Sequence, residues 1–308
     1  MFASRRGRIA AGVLAAGALL ALSACSSGNA LDSGSTSSSS AGTITVGSAA
    51  FGESQIIAEI YAQALEAKGV KVNRNLSIGQ RDVYLAALKD GSIDLIPEYS
   101  GNLLQFYDKT ATAQSSDDVY SALQKALPAG FEVLNQSQAQ DADSYNVTKA
   151  FSDKYNVKSL TDLAAVKVPL TVAANPEFAT RPYGIPGLKS QYGVTATLKP
   201  INDSGGPATV AALKNGSVQL ADIYTTTPAI KDNNFVTLED PKHMILAQNV
   251  LPLINSKKVN STVKDVLNKV DAALTTADLI ALNGENQGAQ KVSPADAAKK
   301  WLADHNLG

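Results

Sequence analysis

Hydrophobic and polar positions alternate between two periods along most of the chain. The run TITVG is short and apolar, as a buried strand is. It leads into ESQIIAEIYAQALEAKG, where Ile56, Ile57, Ile60, Ala64 and Leu65 share one stripe and Gly69 stands just past the end. That spacing predicts an amphipathic helix. A strand is expected near Val70 to Leu76, a helix over Asp82 to Lys89, a turn at Asp90-Gly91 and a strand over Ile93 to Glu98. The same layout returns later, with strands over Val168 to Ala174 and in VTATLKP, a helix over Pro207 to Lys214, a turn at Asn215-Gly216 and a strand over Val218 to Tyr224. Strands alternating with helices predict α/β units with mainly parallel sheets.

The two halves share a phrase. AALKDGSIDLIPEY (Ala86 to Tyr99) returns as AALKNGSVQLADIY (Ala211 to Tyr224), with eight of fourteen residues identical and a tyrosine closing each copy. The shared Leu, Ile and Ala are explained by equivalent core positions. The tyrosines are explained less well, because a phenol at a strand end needs a polar partner or solvent. Ligands of open α/β sheets bind at the carboxyl ends of strands. Two such units facing each other would bring Tyr99 and Tyr224 to opposite walls of one cleft.

The N-terminal segment follows a different pattern. MFASRRGRIAAGVLAAGALLALSAC begins with Arg5, Arg6 and Arg8, continues through an apolar run and reaches small residues before Cys25. This is the layout of a secretory signal, and the run is too short for a retained membrane span. LSAC resembles a lipobox, which would make Cys25 the acylated first residue of the mature protein. The following SSGNALDSGSTSSSSAG has the composition of a flexible tether. The expected organisation is residues 1–24 as signal peptide and 25–42 as lipidated cysteine and linker, with export to the outer face of the cytoplasmic membrane. Cys25 is the only cysteine, so no disulfide is expected.

Composition narrows the function further. With 308 residues, 44% of them apolar, the chain can build two ordinary domains with real cores. Its net charge of −1 becomes −4 once the three arginines of residues 1–24 are removed, so no basic surplus exists to neutralise nucleic-acid phosphates. NDSGGP at Asn202 to Pro207 resembles the nucleophile segment of trypsin-like proteases, but both histidines, His243 and His305, follow Ser204 instead of preceding it. The better reading is a turn opening a helix, with Asp203 or Ser204 capping its free amides. No nucleophile elbow, Walker A loop or dinucleotide fingerprint is found past Cys25. Two histidines and one cysteine do not make an ordinary zinc site. His243 reads as a loop residue and Trp301 as core on a C-terminal amphipathic helix. A binding protein without cofactor or metal is expected, not an enzyme; an exported hydrolase is the weaker alternative.

ITVGSAAFGESQIIAEIYAQALEAKG, DGSIDLIPEYSGNLL, NPEFATRPYGIPGLKSQYG, LKNGSVQLADIY and LEDPKHM together resemble the glycine betaine/choline-binding lipoproteins of osmoprotectant ABC importers, the OpuAC family. The blocks keep that family's order and spacing from about Thr43 onward. The resemblance implies an α/β type II periplasmic-binding-protein fold, two domains with a ligand cleft between them. Domain I would be 43–144 plus 249–308 and domain II 145–248. The implied partners are a small quaternary ammonium ligand and ABC permease subunits, with the binding protein working as a monomer.

A trimethylammonium group has no N–H donor, so electron-rich ring faces must select it, each contributing about 0.5–2 kcal/mol when desolvated. Tyr99, Tyr145 and Tyr224 match the family's cage positions, and Asp143 matches an acid of the same cage. Arg181 matches the residue that holds a ligand carboxylate, for which a planar, always charged fork is suited. Asn102 falls where relatives often have a threonine at that end. Three departures accompany the match: Ala49 replaces a lysine of many relatives, Gln248 stands where a fourth cage tyrosine is expected, and Asp222 adds a carboxylate at a commonly apolar position. The ligand could therefore differ from glycine betaine itself. A same-fold protein for another small solute, such as an amino acid or polyamine, is the alternative.

Overall fold

The structure is a computed structural model that describes residues 42–308. Cys25 and the rest of the expected signal and linker up to residue 41 lie outside the described residues. The chain then runs β1 (Ile44–Gly47), α1 (Gly52–Ala67), β2 (Val72–Asn75), α2 (Arg81–Asp90), β3 (Leu95–Tyr99), α3 (Ser100–Tyr107), α4 (Ser116–Ala126) and β4 (Phe131–Val133). A second series follows, with β5 (Tyr145–Thr148), α5 (Lys149–Tyr155), β6 (Leu170–Ala174), α6 (Ile185–Tyr192), β7 (Ala196–Pro200), α7 (Pro207–Lys214), β8 (Leu220–Asp222), α8 (Ala229–Asp232) and β9 (Phe235–Thr237). The last elements are β10 (Val250–Asn255), α9 (Ser261–Ala273), α10 (Thr276–Gln287) and α11 (Pro294–Asp304).

The strands form two five-stranded sheets, ordered β2-β1-β3-β10-β4 and β7-β6-β8-β5-β9. The two orders correspond position by position, and the strands of the repeated phrase, β3 and β8, are both third. Sequence patterning anticipated mainly parallel sheets; the structure corrects this. β1 pairs parallel with β2 and β3, and β6 with β7 and β8. β10 and β5 pair antiparallel with both of their neighbours. A βαβ connection forces parallel neighbours, but β10 enters its sheet only after the chain has built the other one, so no such connection fixes its direction.

Alternation along the strands covers both faces of each sheet. Leu95 and Tyr99 of β3 pack with α1, α9, α10 and α11, whereas Ile96 joins Leu88, Leu103, Leu104 and Leu123 from α2, α3 and α4. In the second sheet Val172 and Leu220 join one core and Ala173 and Ala221 the other. Trp301 is buried in the core that holds Leu95 and Tyr99, as its helical face predicted, and His243 lies in an exposed turn.

The repeat extends to individual hydrogen bonds. Gly91 and Gly216 adopt φ +82° and +76°, the left-handed conformation that glycine takes without penalty. Asp90 Oδ1 accepts from the amide and hydroxyl of Ser92, and Asn215 Oδ1 does the same for Ser217. Asp94 N donates to Thr45 O and Gln219 N to Thr171 O, joining each copy to the leading strand of its sheet. The copies diverge at their ends. β3 includes Tyr99, while β8 stops at Asp222 and Tyr224 lies beyond it, although Ile223 and Thr225 still donate to Ser144 O and Ala142 O.

Candidate functional site

β3 delivers Tyr99 to the end of the first sheet, and the loop after β8 delivers Tyr224 from the second. Phe51, the residue before α1, completes the aromatic group. Its ring lies 6.1 Å from that of Tyr99, nearly parallel, and 5.4 Å from that of Tyr224, edge to face. These three rings line an inner cavity of about 50 Å³ together with Ala49, Arg81, Tyr84, Asn102, Asp141, Asp143, Phe178, Arg181, Tyr183 and Asp222. Both sheets contribute, and Gln80 further joins them by donating to Asn202 Oδ1 and Ser204 Oγ at 3.2 and 3.3 Å.

Two arginines line the cavity, and they differ in how they are engaged. Arg81 forms a buried two-pronged ion pair with Glu98, both contacts at 2.9 Å, and Glu98 also accepts from Tyr84 Oη at 2.7 Å and from the Tyr99 amide at 3.0 Å. Its charge is neutralised within the protein. Arg181 follows the short helical turn Pro176–Ala179 and donates from Nη1 to Tyr183 Oη at 3.1 Å, its guanidinium 5.9 Å from that ring's centre. It forms no ion pair among the described residues. Burial works against the Arg181 charge, yet Tyr183 and Asp143 nearby favour it and the net shift is upward.

The acids form two close groups. Asp143 accepts from Asn102 Nδ2 at 2.6 Å and is hydrogen-bonded to Asp222, whose Oδ1 accepts from the Ser144 amide at 3.2 Å. Burial, reinforced by the Asp143 charge, pushes the Asp222 carboxyl well above the usual carboxylate range. The second group joins Asp141 to Glu53. Burial and then the Glu53 charge raise the Asp141 carboxyl. Glu53 accepts from Tyr99 Oη at 2.6 Å, Thr226 Oγ1 at 2.7 Å and Asn283 Nδ2 at 2.6 Å. Thr226 lies past β8 and Asn283 on α10, so a single buried carboxylate links both parts of the chain.

Of the residues singled out from sequence, Ala49, Tyr99, Asn102, Asp143, Arg181, Asp222 and Tyr224 all line the cavity. Tyr145 and Gln248 are not among the lining residues. Tyr145 is 1% exposed, donates to Tyr183 O at 2.8 Å and packs its ring on Phe178 at 5.5 Å, behind two residues that do line the cavity. Gln248 is wholly buried and clamps Asn102, accepting from its amide at 2.9 Å and donating to its Oδ1 at 2.8 Å. A Cβ on Gly101 would meet Ala247 O at 2.6 Å, so glycine is what allows α3 to approach this clamp. Asp203 caps α7, accepting from the amides of Ala208 and Thr209 at 2.7 and 3.1 Å. The decoy motif is thus a helix start.

Sequence reasoning missed Phe51, Tyr84, Phe178 and Tyr183. Phe51 and Tyr183 stand inside the quoted blocks GSAAFGE and EFATRPYG, so proximity to Ala49 and Arg181 was the available signal. Among the described residues no group of three or more His, Cys, Asp or Glu is placed to hold a metal ion.

Comparison with known proteins gives a consistent result. The glycine-betaine-binding protein of Pseudomonas aeruginosa is 26% identical over 283 residues, covering 86% of this chain and 88% of the relative. The carnitine transport binding protein OpuCC of Listeria monocytogenes is 26% identical over 289 residues, covering 87% and 88%. A crystal structure of a glycine betaine/carnitine/choline ABC transporter protein superposes with a TM-score of 0.68 at 21% identity, covering 86% of this chain and 99% of that one. A choline-binding protein in complex with choline superposes with a TM-score of 0.63 at 13% identity, covering 87% and 90%. The OpuAC profile, described as the substrate binding domain of ABC-type glycine betaine transport system, matches residues 42–304. With nearly all of the described chain inside that match, and two α/β sheets meeting at one aromatic and charged cavity, this protein belongs to the OpuAC family of ABC-importer substrate-binding proteins.

Proposed function

We propose that the inner cavity captures a quaternary ammonium solute such as glycine betaine, choline or carnitine, and that the closed protein delivers it to ABC permease subunits. The observation that carries this reading is the placement of Phe51, Tyr99 and Tyr224 around one cavity that also contains the unpaired Arg181. Ring faces would hold the methylated ammonium. Arg181 would hold a carboxylate, with Asn102 nearby. Tyr145 and Gln248 would act indirectly, by fixing Tyr183 and Asn102. Ala49 leaves room where a longer cation would compete for the anion.

Domain I would comprise 43–144 plus 249–308 and domain II 145–248. Supporting this, β1 to β4 and β10 fall in the first range and β5 to β9 in the second. The crossings would lie near Asp143-Ser144 and Gln248-Asn249, close to the isolated antiparallel bridge between Gln140 and Asn249. Substrate-binding proteins of ABC importers work outside the cytoplasm, and among the described residues no helix is long and apolar enough to cross a membrane. Acylation of Cys25 would hold a monomer beside its permease.

A thermal-shift panel of glycine betaine, choline, carnitine, an amino acid and a polyamine tests the reading. A ligand at a hundred times its Kd stabilises the folded state by about 2.7 kcal/mol. Stabilisation by the methylated compounds supports the proposal; stabilisation by the amino acid or polyamine alone overturns it.

A further inference from the structure

Glu53 sits in the first turn of α1, two residues after Phe51, and is 3% exposed. It is absent from the lining of the inner cavity and lines instead a neighbouring space of about 310 Å³. Its two oxygens serve different parts of the chain. Oε1 accepts from Tyr99 Oη at 2.6 Å, whereas Oε2 accepts from Thr226 Oγ1 at 2.7 Å and from Asn283 Nδ2 at 2.6 Å. Asn283 Nδ2 also donates to Thr226 Oγ1 at 3.0 Å, and the Thr226 amide donates to Asp141 Oδ1 at 3.0 Å. Thr226 is 1% exposed, so water is poorly placed to replace any of these partners.

The two tyrosines of the cavity are held differently. Tyr99 closes β3, packs its side chain into the core beside α1 and bonds its hydroxyl to Glu53. Tyr224 lies beyond β8, and its hydroxyl donates to no residue among those described. Its ring therefore takes its place from its backbone and from the edge-to-face contact with Phe51. That backbone is pinned at Thr225, whose amide donates to Ala142 O, and at Thr226, which meets Glu53. A carboxylate only accepts, so a phenol, a hydroxyl and an amide can converge on it without competing, and hydrogen bonds to an ionised acceptor are short and strong. We propose that Glu53 is a positioning residue for ligand capture: through Thr226 it holds the Tyr224 ring at the cavity that Tyr99 also lines, while standing outside that cavity itself. This rests on the function proposed above and deepens it.

Calorimetry with glycine betaine, choline and carnitine on the purified protein, paired with thermal melts of the ligand-free protein, tests this. Thr226→Val keeps the branched shape and removes the hydroxyl; affinity for the probes that bind should fall about tenfold, within what one displaced ring face contributes. Thr226→Ser should restore most of that affinity. The deciding comparison uses a Tyr224→Leu background. There Thr226→Val should lower the melting temperature as before yet leave affinity unchanged, because the ring through which it acts is gone. A Thr226 that serves stability alone would lower the melting temperature and leave affinity untouched in both backgrounds. That result overturns the inference, and so does an affinity loss of equal size with and without the Tyr224 ring. Should Thr226→Val fail to fold, Glu53→Gln is read in the same way, because an amide offers one acceptor oxygen where three donors converge. If a probe binds the wild type and the variants follow either overturning pattern, only this inference fails. If none of the three probes binds, both it and the proposed function fail.

Discussion

Replacing each tyrosine of the repeated phrase by phenylalanine should have unequal effects. Tyr99 Oη donates at 2.6 Å to Glu53 Oε1, whereas the Thr226 hydroxyl and the Asn283 amide both serve Oε2. Glu53 is 3% exposed, so water is poorly placed to replace the lost phenol. A hydrogen bond to a charged group contributes about 1.5–3 kcal/mol, and Tyr99→Phe should lose about that much stability. Tyr224 is half-buried, and its hydroxyl donates to no residue among those described, so Tyr224→Phe should cost under about 0.5 kcal/mol. Both variants keep the ring face that would hold an ammonium, so ligand affinity should change little in either. Urea denaturation of the ligand-free wild type and both variants reads the stability difference as a change in midpoint. Repeating Tyr99→Phe on a Glu53→Gln background should reduce its cost, because the charged acceptor is gone. Equal losses at the two tyrosines, or an undiminished cost on the Glu53→Gln background, would refute the reasoning.

Arg181→Ala should weaken a betaine by about 2–4 kcal/mol, since the ligand anion loses a desolvated partner; choline has no carboxylate, and an equal loss for both in calorimetry would place Arg181 away from the anion. Asp271 is wholly buried, accepts from Tyr61 Oη at 2.7 Å and has its carboxyl raised well above the usual range by burial. A raised folded-state value contributes stability present below the unfolded pKa of about 3.9 and lost as pH rises towards the folded value. Asp271→Asn should therefore gain melting temperature relative to wild type as pH rises above about 4, and a pH-independent difference would count against this account. Cys25→Ser should abolish lipid labelling and leave the protein uncleaved or released; cleavage at the same place with membrane retention would exclude acylation at Cys25.

The sequence by itself determined the βαβ units, because hydrophobic period reports which side of an element is buried. It also determined that the repeated phrase does the same structural work twice, down to Gly91 and Gly216, because turn chemistry is local. Sequence also pointed to Tyr99, Tyr224 and Arg181, which the fold brings to one cavity. Tertiary structure decided the rest. The antiparallel entry of β10 and β5 depends on strands joined to no neighbour by a local crossover. Tyr145 and Gln248 stand behind the lining residues because Phe178, Tyr183 and Asn102 cover them, and Gln248 clamps Asn102 from 146 positions away in the chain. Arg81 and Arg181 are the same residue type in sequence; only packing shows that Glu98 neutralises one and that the other forms no ion pair among the described residues. Composition and period record burial, but which groups meet is set by contacts between segments separated in the chain, and those exist only once each sheet and its helices have packed.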